Sequence, residues 1–288
     1  MNSLRITSLL ASVCFATPTF AAQTKDSTTT QKTFFTRGDA VASSVALAAT
    51  VGVSHFDERI AQWARSPSIQ GGNSRHDLVE KLTVVNEVPL TLGAVALYGV
   101  GRLFGSDVTT EVGLHATEAL VLTVVASEMI RTPLGRTRPR ESQADAYKFT
   151  FCGGFTDFAK RSYPSLHAAV AFATASVLTG ELHHREPGAV PYVAPVLYGA
   201  AMIPGITRIY LDQHWTSDVI AGAFLGTLLG SRVVSYSYSH RPSKFQRALL
   251  ADRIGPAGHG GLMISVGFGT TVIPDGHGGL TIMKTISN

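Results

Sequence analysis

The 288-residue sequence has little cysteine, little charge and few large aromatic side chains. One of its two cysteines, Cys14, falls in an N-terminal segment that we predict to be removed, which leaves Cys152 without an internal disulfide partner. We expect Cys152 to be a small buried or half-buried residue, because nothing in the sequence supports a catalytic thiol. Charged residues make up 15% of the chain and hydrophobic residues 45%, a balance that excludes a disordered protein.

The net charge is also small, +4 at pH 7, and the basic residues are scattered along the chain. This excess favours anionic substrates or surfaces but is too weak to indicate nucleic-acid binding, so no nucleic acid is expected as a partner. The chain is rich in glycine, with 28 residues, and in alanine. That composition is typical of closely packed helices rather than of a β-sandwich.

The N-terminal 22 residues have the pattern of a secretory signal peptide. A short basic start containing Arg5 precedes an apolar run over residues 6–16, and Ala21 and Ala22 offer a small-residue cleavage site. Residues 23–36 are rich in Thr, Lys and Gln and predict a mobile leader. Export to the periplasm is therefore the expected localisation.

Residues 37–254 predict an all-α, multi-helix bundle, and residues 255–288 predict a short C-terminal β-hairpin. In the tail, segments 262–268 and 279–286 alternate apolar with polar residues or glycine on either side of Pro274-Asp275-Gly276, which has turn chemistry. In the helical part, uncharged apolar runs at 40–54, 88–101, 119–127, 168–180 and 219–231 are shorter than the ~20 residues of a membrane span. Residues 187–207 are long enough but contain four prolines.

These runs favour an exported, mainly helical protein over a membrane-embedded one. The basic amphipathic segment 241–253 adds a membrane-surface contact as an alternative to an ordinary surface helix. An integral inner-membrane protein with a periplasm-facing site stays open, because short Ala- and Gly-rich helices with flanking charges also insert into bilayers.

The helical pattern breaks between residues 131 and 165. Several prolines and glycines interrupt this stretch, and a loop of this length inside a compact domain is usually functional. Four phenylalanines lie along it and are expected to anchor the loop or to line an apolar substrate entrance: Phe149, Phe151, Phe155 and Phe158.

Chemistry-bearing residues fall into three blocks. The first is RTPLGRTRP, from Arg131 to Pro139, and the second is YPSLHAA, which contains Ser165 and His167. The third is TRIYLDQHWTSD, which ends at Asp218. In the third block His214 and Asp218 are four residues apart and share a face if the chain from Trp215 is helical, so the carboxylate can hold one imidazole nitrogen and leave the other as a nucleophile.

The residue types in these blocks suit a phosphoryl group. Such a group needs positive charge around its equatorial oxygens, which Arg131, Arg138 and Arg208 supply. Ser165 and the amides at the start of a helix beginning at Leu166 supply hydrogen bonds, because a helix N-terminus attracts phosphate. No metal or other cofactor is required, since the three arginines take the place of a cation.

Together the blocks resemble the signature of the type 2 phosphatidic acid phosphatase superfamily, which also contains bacterial class A acid phosphatases and vanadium haloperoxidases. That signature is Lys, six residues, Arg-Pro; then Pro-Ser-Gly-His; then Ser-Arg, five residues, His, three residues, Asp. The spacing matches at every step. The resemblance covers residues 131–230 by motif, and the preceding helices by general pattern.

The resemblance implies a metal-independent phosphomonoesterase that acts on a lipid phosphate or a small phosphate ester. It implies that His214 attacks phosphorus, that Asp218 orients and charge-stabilises that imidazole, and that His167 protonates the leaving alcohol and then activates water. The phosphate-binding positions of the family correspond to five residues here: Arg131, Arg138, Ser165, Leu166 and Arg208.

Three positions depart from the signature. Arg131 replaces Lys and adds a guanidinium fork for phosphate oxygens, Thr207 replaces Ser, and Leu166 replaces Gly. A glycine at that position permits close backbone approach to an anion, so Leu166 could narrow the pocket. Two alternative functions are therefore kept, a vanadate-dependent haloperoxidase that uses the same cage and a phosphate-binding protein without turnover.

Overall fold

The computed structural model of the chain describes residues 33–84, 86–142, 145–240 and 246, together with the strand backbone near the C-terminus. Within these residues the chain forms nine α-helices: α1 Arg37–Ser54, α2 Asp57–Ala64, α3 Pro67–Gln70, α4 Asn73–Leu82, α5 Glu87–Phe104, α6 Asp107–Leu134, α7 Leu166–Arg185, α8 Val190–Tyr210 and α9 Thr216–Ser239. Short 3-10 turns interrupt the loop between α6 and α7 at Pro139–Glu141, Gly153–Phe155 and Phe158–Lys160.

The prediction of an all-α multi-helix bundle is confirmed. Two of its helices are longer than the sequence pattern indicated. Helix α6 continues through Pro133 to Leu134 and ends at Gly135, whose φ of 65° suits glycine. Helix α7 continues to Arg185 through a charged segment, because Glu181 is buried against partners on other helices rather than exposed in a turn.

Helix α7 lies at the centre of the bundle, where it packs against α6, α8 and α9. Its small side chains are almost completely buried, as Ala168, Ala169, Val170, Ala173 and Val177 are each 0% exposed. Small side chains bring the neighbouring helices close, so the ends of α7 are held firmly against the ends of its neighbours.

The closest approach in the bundle is between α7 and α9. On α9, Gly222, Gly226 and Gly230 recur every fourth residue and face the backbone of α7. A Cβ atom at Gly226 would overlap the carbonyl oxygen of Ala169. This stripe of glycines fixes the register of the two helices, as small residues do at tight helix crossings.

Three helices are long and apolar enough to cross a membrane, at Asp107–Leu134, Pro187–Tyr210 and Thr216–Ser239. The number rises to five if each of two bent helix pairs is one span. These pairs are Arg37–Ser54 with Asp57–Ala64, and Ser74–Leu82 with Glu87–Phe104. The sequence analysis had counted uncharged runs only. The helices reach span length because they include the charged residues at their ends, and they favour the integral-membrane alternative.

The outward faces of these helices agree with a lipid environment. On α6 the exposed side chains of Val121, Val125 and Met129 recur every fourth residue and form one apolar stripe. On α8, Tyr192 and Val196 are 79% and 70% exposed. Apolar stripes of this kind on the outside of a bundle are typical of helices that face lipid.

The C-terminal segment contains four antiparallel strands in the order β1-β2-β3-β4: Gly255–Ala257, Gly261–Ser265, Thr270–Pro274 and Leu280–Lys284. The sequence predicted two strands, at 262–268 and 279–286, and β1 and β3 are additional. Strand β3 forms from the β-branched run of Thr270, Thr271, Val272 and Ile273, which has high strand propensity, and it pairs Thr270 with Lys284.

Several N- and C-terminal predictions lie outside the described residues, among them the signal peptide at 1–22, the leader up to residue 32 and most of segment 241–253. The last leader residues are described and pack on the bundle. Thr36 caps α1 through a reciprocal bond with Asp39, and the Phe34 ring lies 5.5 Å from the Tyr236 ring.

Candidate active site

The three sequence blocks meet where four helix ends come together. Arg131 lies in the last turn of α6, His167 in the first turn of α7 and Arg208 in the last turn of α8. The backbone N–H of Ser165, which caps α7, donates to the carbonyl of Asp218 in the first turn of α9 at 2.9 Å. Residues separated by up to 87 positions in the chain therefore face one site.

His214 is buried, with 2% of the residue exposed, and its two ring nitrogens differ. Nδ1 lies 2.8 Å from the carbonyl oxygen of Ser162, to which it donates in the tautomer that leaves Nε2 unprotonated. Nε2 is buried and has no hydrogen-bond partner among the described residues. Burial lowers the pKa of His214, against the opposing effect of Asp218, so the ring is neutral and Nε2 keeps a free lone pair.

Asp218 does not orient His214 by a direct hydrogen bond. Its Oδ2 is 3.7 Å from Nδ1 of His214, which is an ion-pair distance but too long for a hydrogen bond. The same oxygen accepts from the Ser162 hydroxyl at 2.5 Å and from the backbone N–H of Trp215 at 2.9 Å. Asp218 thus positions the backbone on both sides of His214, and the carbonyl of Ser162 holds the ring.

Arg136, which the sequence analysis did not single out, is a central part of this support. It is 2% exposed, and its guanidinium pairs with Asp218 at 2.5 Å and with Asp57 of α2 at 2.8 Å. Asp57 also accepts from the backbone N–H of Ser217 at 2.9 Å. Although burial alone lowers the pKa of Arg136, the two carboxylates raise it, so the guanidinium stays charged between them.

His167 faces His214 across the site, with ring centroids 6.0 Å apart. Its Nδ1 is buried and has no partner among the described residues, and its Nε2 lies 3.4 Å from Oε2 of Glu87 at the start of α5. Burial and then the charges of Arg208, His214, Arg138 and Arg131 lower the pKa of His167 to about 2. The ring is therefore neutral until an anion enters.

The three predicted phosphate-binding arginines line the same site. In the described part of the chain, the Nε atoms of Arg131, Arg138 and Arg208 are buried and have no partner. Arg131 pairs with Glu128, and Arg138 donates to Gln213 at 2.8 Å. Burial lowers the pKa of Arg138, and the positive charges of Arg140, Arg131 and Arg208 lower it further, to about 10. Several like charges therefore converge on the site.

Ser165 and Leu166 lie at the N-terminus of α7. Ser165 is fully buried, and its hydroxyl accepts from the Ala168 N–H at 3.5 Å, so the hydroxyl caps α7. The Leu166 side chain packs in the core with Leu120 and Val170 rather than in the phosphate site. Leu166 does not have positive φ, so this position does not need glycine, and only its backbone N–H remains for an anion.

The site therefore offers one free imidazole nitrogen on each of two histidines and unpaired N–H groups on three arginines. Buried polar atoms without partners are rare in native proteins, and this set has the chemistry to bind an anion with several oxygens. Among the described residues, no group of three or more His, Cys, Asp or Glu side chains is arranged to hold a metal ion.

Fold and site together define a class of helical bundle in which four helix ends enclose a two-histidine anion site. Residues 113–242 match the family described as PAP2 superfamily, and this segment contains all three sequence blocks. The match covers 130 of the 288 residues, and over this segment the chain is similar to the PAP2 superfamily.

Two similar proteins carry functional names. A 73-residue segment is 44% identical to "Lipid A 1-phosphatase" of Porphyromonas gingivalis, which is 25% of this chain and 15% of that protein. The fold resembles a crystal structure described as the first transmembrane PAP2 type phosphatidylglycerolphosphate phosphatase, from Bacillus subtilis. The TM-score is 0.51 at 20% identity, with 70% of this chain and 96% of that chain covered, so this likeness shows the fold.

Proposed function

We propose that this protein is a metal-independent phosphatase that hydrolyses a lipid phosphomonoester through a phosphohistidine intermediate. The observation that carries the proposal is the buried, unpartnered Nε2 of His214 beside the unpartnered Nε atoms of the three arginines. A phosphoryl group fits this set, because it presents an electrophilic centre to the imidazole and oxygens to the guanidinium groups.

In the first step, Nε2 of His214 forms a bond to phosphorus while the bond from phosphorus to the ester oxygen breaks. Arg131, Arg138 and Arg208 stabilise the charge on the equatorial oxygens. His167, protonated once the phosphate dianion has entered, transfers its proton to the departing ester oxygen and releases an alcohol.

In the second step, a water oxygen attacks the phosphohistidine on the side that the alcohol has left. Neutral His167 accepts a proton from this water, the bond from phosphorus to Nε2 breaks, and inorganic phosphate leaves. The carbonyl of Ser162, 2.8 Å from Nδ1, holds the His214 ring in one orientation during both steps.

A lipid substrate is supported by the surroundings of the site. Phe151, Phe155 and Phe158 are 83%, 64% and 57% exposed in the loop between α6 and α7, and the Phe158 ring lies 4.3 Å from the Arg138 guanidinium carbon. If the span-length helices cross a bilayer, the site at their ends lies near its surface, where phosphate headgroups are found. Both similar proteins are named for lipid phosphates.

The proposed test compares phosphate release from phosphatidic acid, phosphatidylglycerol phosphate, a lipid A phosphate and p-nitrophenyl phosphate by the purified protein in detergent with EDTA. We expect hydrolysis of at least one lipid in EDTA. His214→Ala should lower kcat by ~10³-fold or more, since the nucleophile is lost. His183→Ala is the matched control, because His183 is exposed near the opposite end of α7.

A rapid acid-free quench with radiolabelled substrate separates the mechanism from the activity. An alkali-stable phosphoenzyme should form in the wild type and should be absent in His214→Ala. In His167→Ala it should accumulate with radiolabelled p-nitrophenyl phosphate, whose leaving group needs no proton, because hydrolysis of the intermediate is slowed. Hydrolysis that requires an added divalent cation, or that survives in His214→Ala, contradicts the proposed mechanism.

A further inference from the structure

We propose that Glu87 is a positioning residue that fixes the tautomer of His167 and holds the proton that His167 donates to the leaving alcohol. The inference deepens the proposed function and rests on it. Glu87 lies outside both the three sequence blocks and the segment that matches the family, at the first position of α5.

The geometry places the Glu87 carboxylate against only one nitrogen of His167. Oε2 of Glu87 is 3.4 Å from Nε2, whereas Nδ1 has no partner in the described part of the chain. Oε2 is itself buried and makes no hydrogen bond with any described residue. A small rotation of either side chain completes the Nε2–H to carboxylate bond, and Nδ1 is then the nitrogen left for substrate.

The charges around His167 explain why such a carboxylate is needed. Four neighbouring groups disfavour the imidazolium form of His167: Arg208 of α8, His214 in the loop before α9, Arg138 in the loop before α7, and Arg131 of α6. Glu87 is the acidic side chain within ion-pair distance of the ring among the described residues. Without its charge, the ring would face the leaving group as a neutral base unable to donate a proton.

Both proton transfers take place at Nδ1 of His167. In the first, Nδ1–H of the imidazolium passes its proton to the ester oxygen, while Nε2–H stays on the ring facing Glu87. In the second, the Nδ1 lone pair takes a proton from the attacking water, and the imidazolium is restored. This arrangement parallels the role of a carboxylate that orients a catalytic histidine without itself changing protonation state.

Leaving-group dependence separates this role from a structural one. An alkyl phosphate expels a strongly basic alkoxide that needs a proton, whereas p-nitrophenyl phosphate expels a weakly basic phenolate that does not. We expect Glu87→Gln to lower kcat/KM for phosphatidic acid by ~10²-fold and for p-nitrophenyl phosphate by less than about fivefold. The parameter kcat/KM reports the steps up to formation of the phosphoenzyme.

The pH profile gives a second readout. The acid function of His167 is lost as the pH rises through the pKa of its imidazolium in the substrate complex. Removal of the neighbouring negative charge lowers that pKa, so the alkaline limb of kcat for phosphatidic acid should move by about 1 unit towards lower pH. Inhibition by orthovanadate should be unchanged, since the arginines and His214 are intact.

Glu80→Gln is the matched control, because Glu80 is an exposed residue of α4 and should leave both substrates and the pH profile unaltered. Equal losses for the two substrates with an unmoved alkaline limb, or no loss, overturn the inference. If Glu87→Gln does not fold, Glu87→Asp is used instead. Its shortened carboxylate should lower kcat/KM more for phosphatidic acid than for p-nitrophenyl phosphate, by a smaller factor than in Glu87→Gln. Equal losses for the two substrates would refute the inference. A wild type inactive on every phosphate ester would instead overturn the proposed function.

Discussion

At the scale of single residues, Asp218 connects His214, the proposed nucleophile, to the rest of the bundle. Its carboxylate accepts from Arg136, from the Ser162 hydroxyl and from the Trp215 N–H, all in a buried environment. One carboxylate thereby joins the loop before α7, the loop before α9 and the buried guanidinium. Its charge is expected to matter for folding and, under the proposed mechanism, for the charge that develops on His214 during phosphoryl transfer.

We expect Asp218→Asn to reduce both activity and stability. The substitution keeps the shape but leaves Arg136 with Asp57 as its one remaining buried carboxylate, which should cost about 3–5 kcal/mol of unfolding free energy. The loss of negative charge near His214 should lower kcat by ~10²-fold or more. Thermal unfolding and lipid phosphate hydrolysis of the same preparation measure the two effects.

Asp212→Asn provides the comparison, because Asp212 lies in the loop just before α9 and pairs with Arg65 in a partly exposed position. Its φ of 60° is one that asparagine adopts readily. The substitution should cost less than about 1 kcal/mol, as expected for a solvent-exposed ion pair. Equal destabilisation by the two variants would contradict the assigned role of the buried pair.

The sequence predicted the residues that line the candidate site better than those that support them. His167, His214 and the three arginines were found because their spacing is a recognisable pattern, and the structure brings them together. Asp57 and Glu87 were not found, since an acidic residue at the start of a helix usually caps it or faces solvent. Their contacts connect residues 79 or more positions apart, which no local pattern reveals.

At the scale of helices, the position of the site depends on the crossing of α7 and α9. The glycine stripe on α9 begins at Gly222, where a Cβ atom would overlap the carbonyl oxygen of Ser165, the residue that caps α7. The stripe therefore sets the separation between the Ser165 end of α7 and the His214 loop. The sequence showed that α9 is rich in small residues, but not which of them face α7.

We expect Gly226→Ala to destabilise the protein, although alanine has the higher helix propensity. The new methyl group would overlap the backbone of α7 at Ala169, and helix separation would shift the site, so both the unfolding temperature and kcat should fall. Gly199→Ala on α8 is the matched control, because nothing lies within 4 Å of its added Cβ. That variant should be unchanged or more stable by up to ~1 kcal/mol.

Thermal unfolding in detergent, followed by circular dichroism, distinguishes the two glycine variants. A Gly226→Ala protein as stable and active as the wild type would show that α7 and α9 are not held at this distance.

The length of a helix also depends on the partners that its residues find on other helices. Helix α7 extends to Arg185 because Glu181 pairs with His115 of α6 and with Tyr238 of α9, contacts that its charged sequence did not indicate.

At the scale of the whole molecule, the direction in which the site faces follows from the span-length helices. Arg208 lies near one end of the span Pro187–Tyr210, and Glu186 immediately precedes the other end. The loop that carries Cys152 is joined to the Arg208 end, since the Cys152 N–H donates to Pro133 near the end of α6 at 2.7 Å. Two positions thus report the two ends of the bundle.

If the chain is an integral inner-membrane protein with its site facing the periplasm, as we propose, Cys152 is accessible from outside. The sequence predicted a buried or half-buried Cys152, but the residue is exposed. In a Cys14→Ser background it should therefore react with a membrane-impermeant maleimide in intact spheroplasts. In a Cys14→Ser, Cys152→Ser, Glu186→Cys protein, the reaction should require permeabilised membranes. Equal labelling of both positions in intact spheroplasts would indicate an exported protein that does not span the bilayer. Labelling of Glu186→Cys alone would place the site on the cytoplasmic side and would exclude a periplasmic lipid phosphate as the substrate.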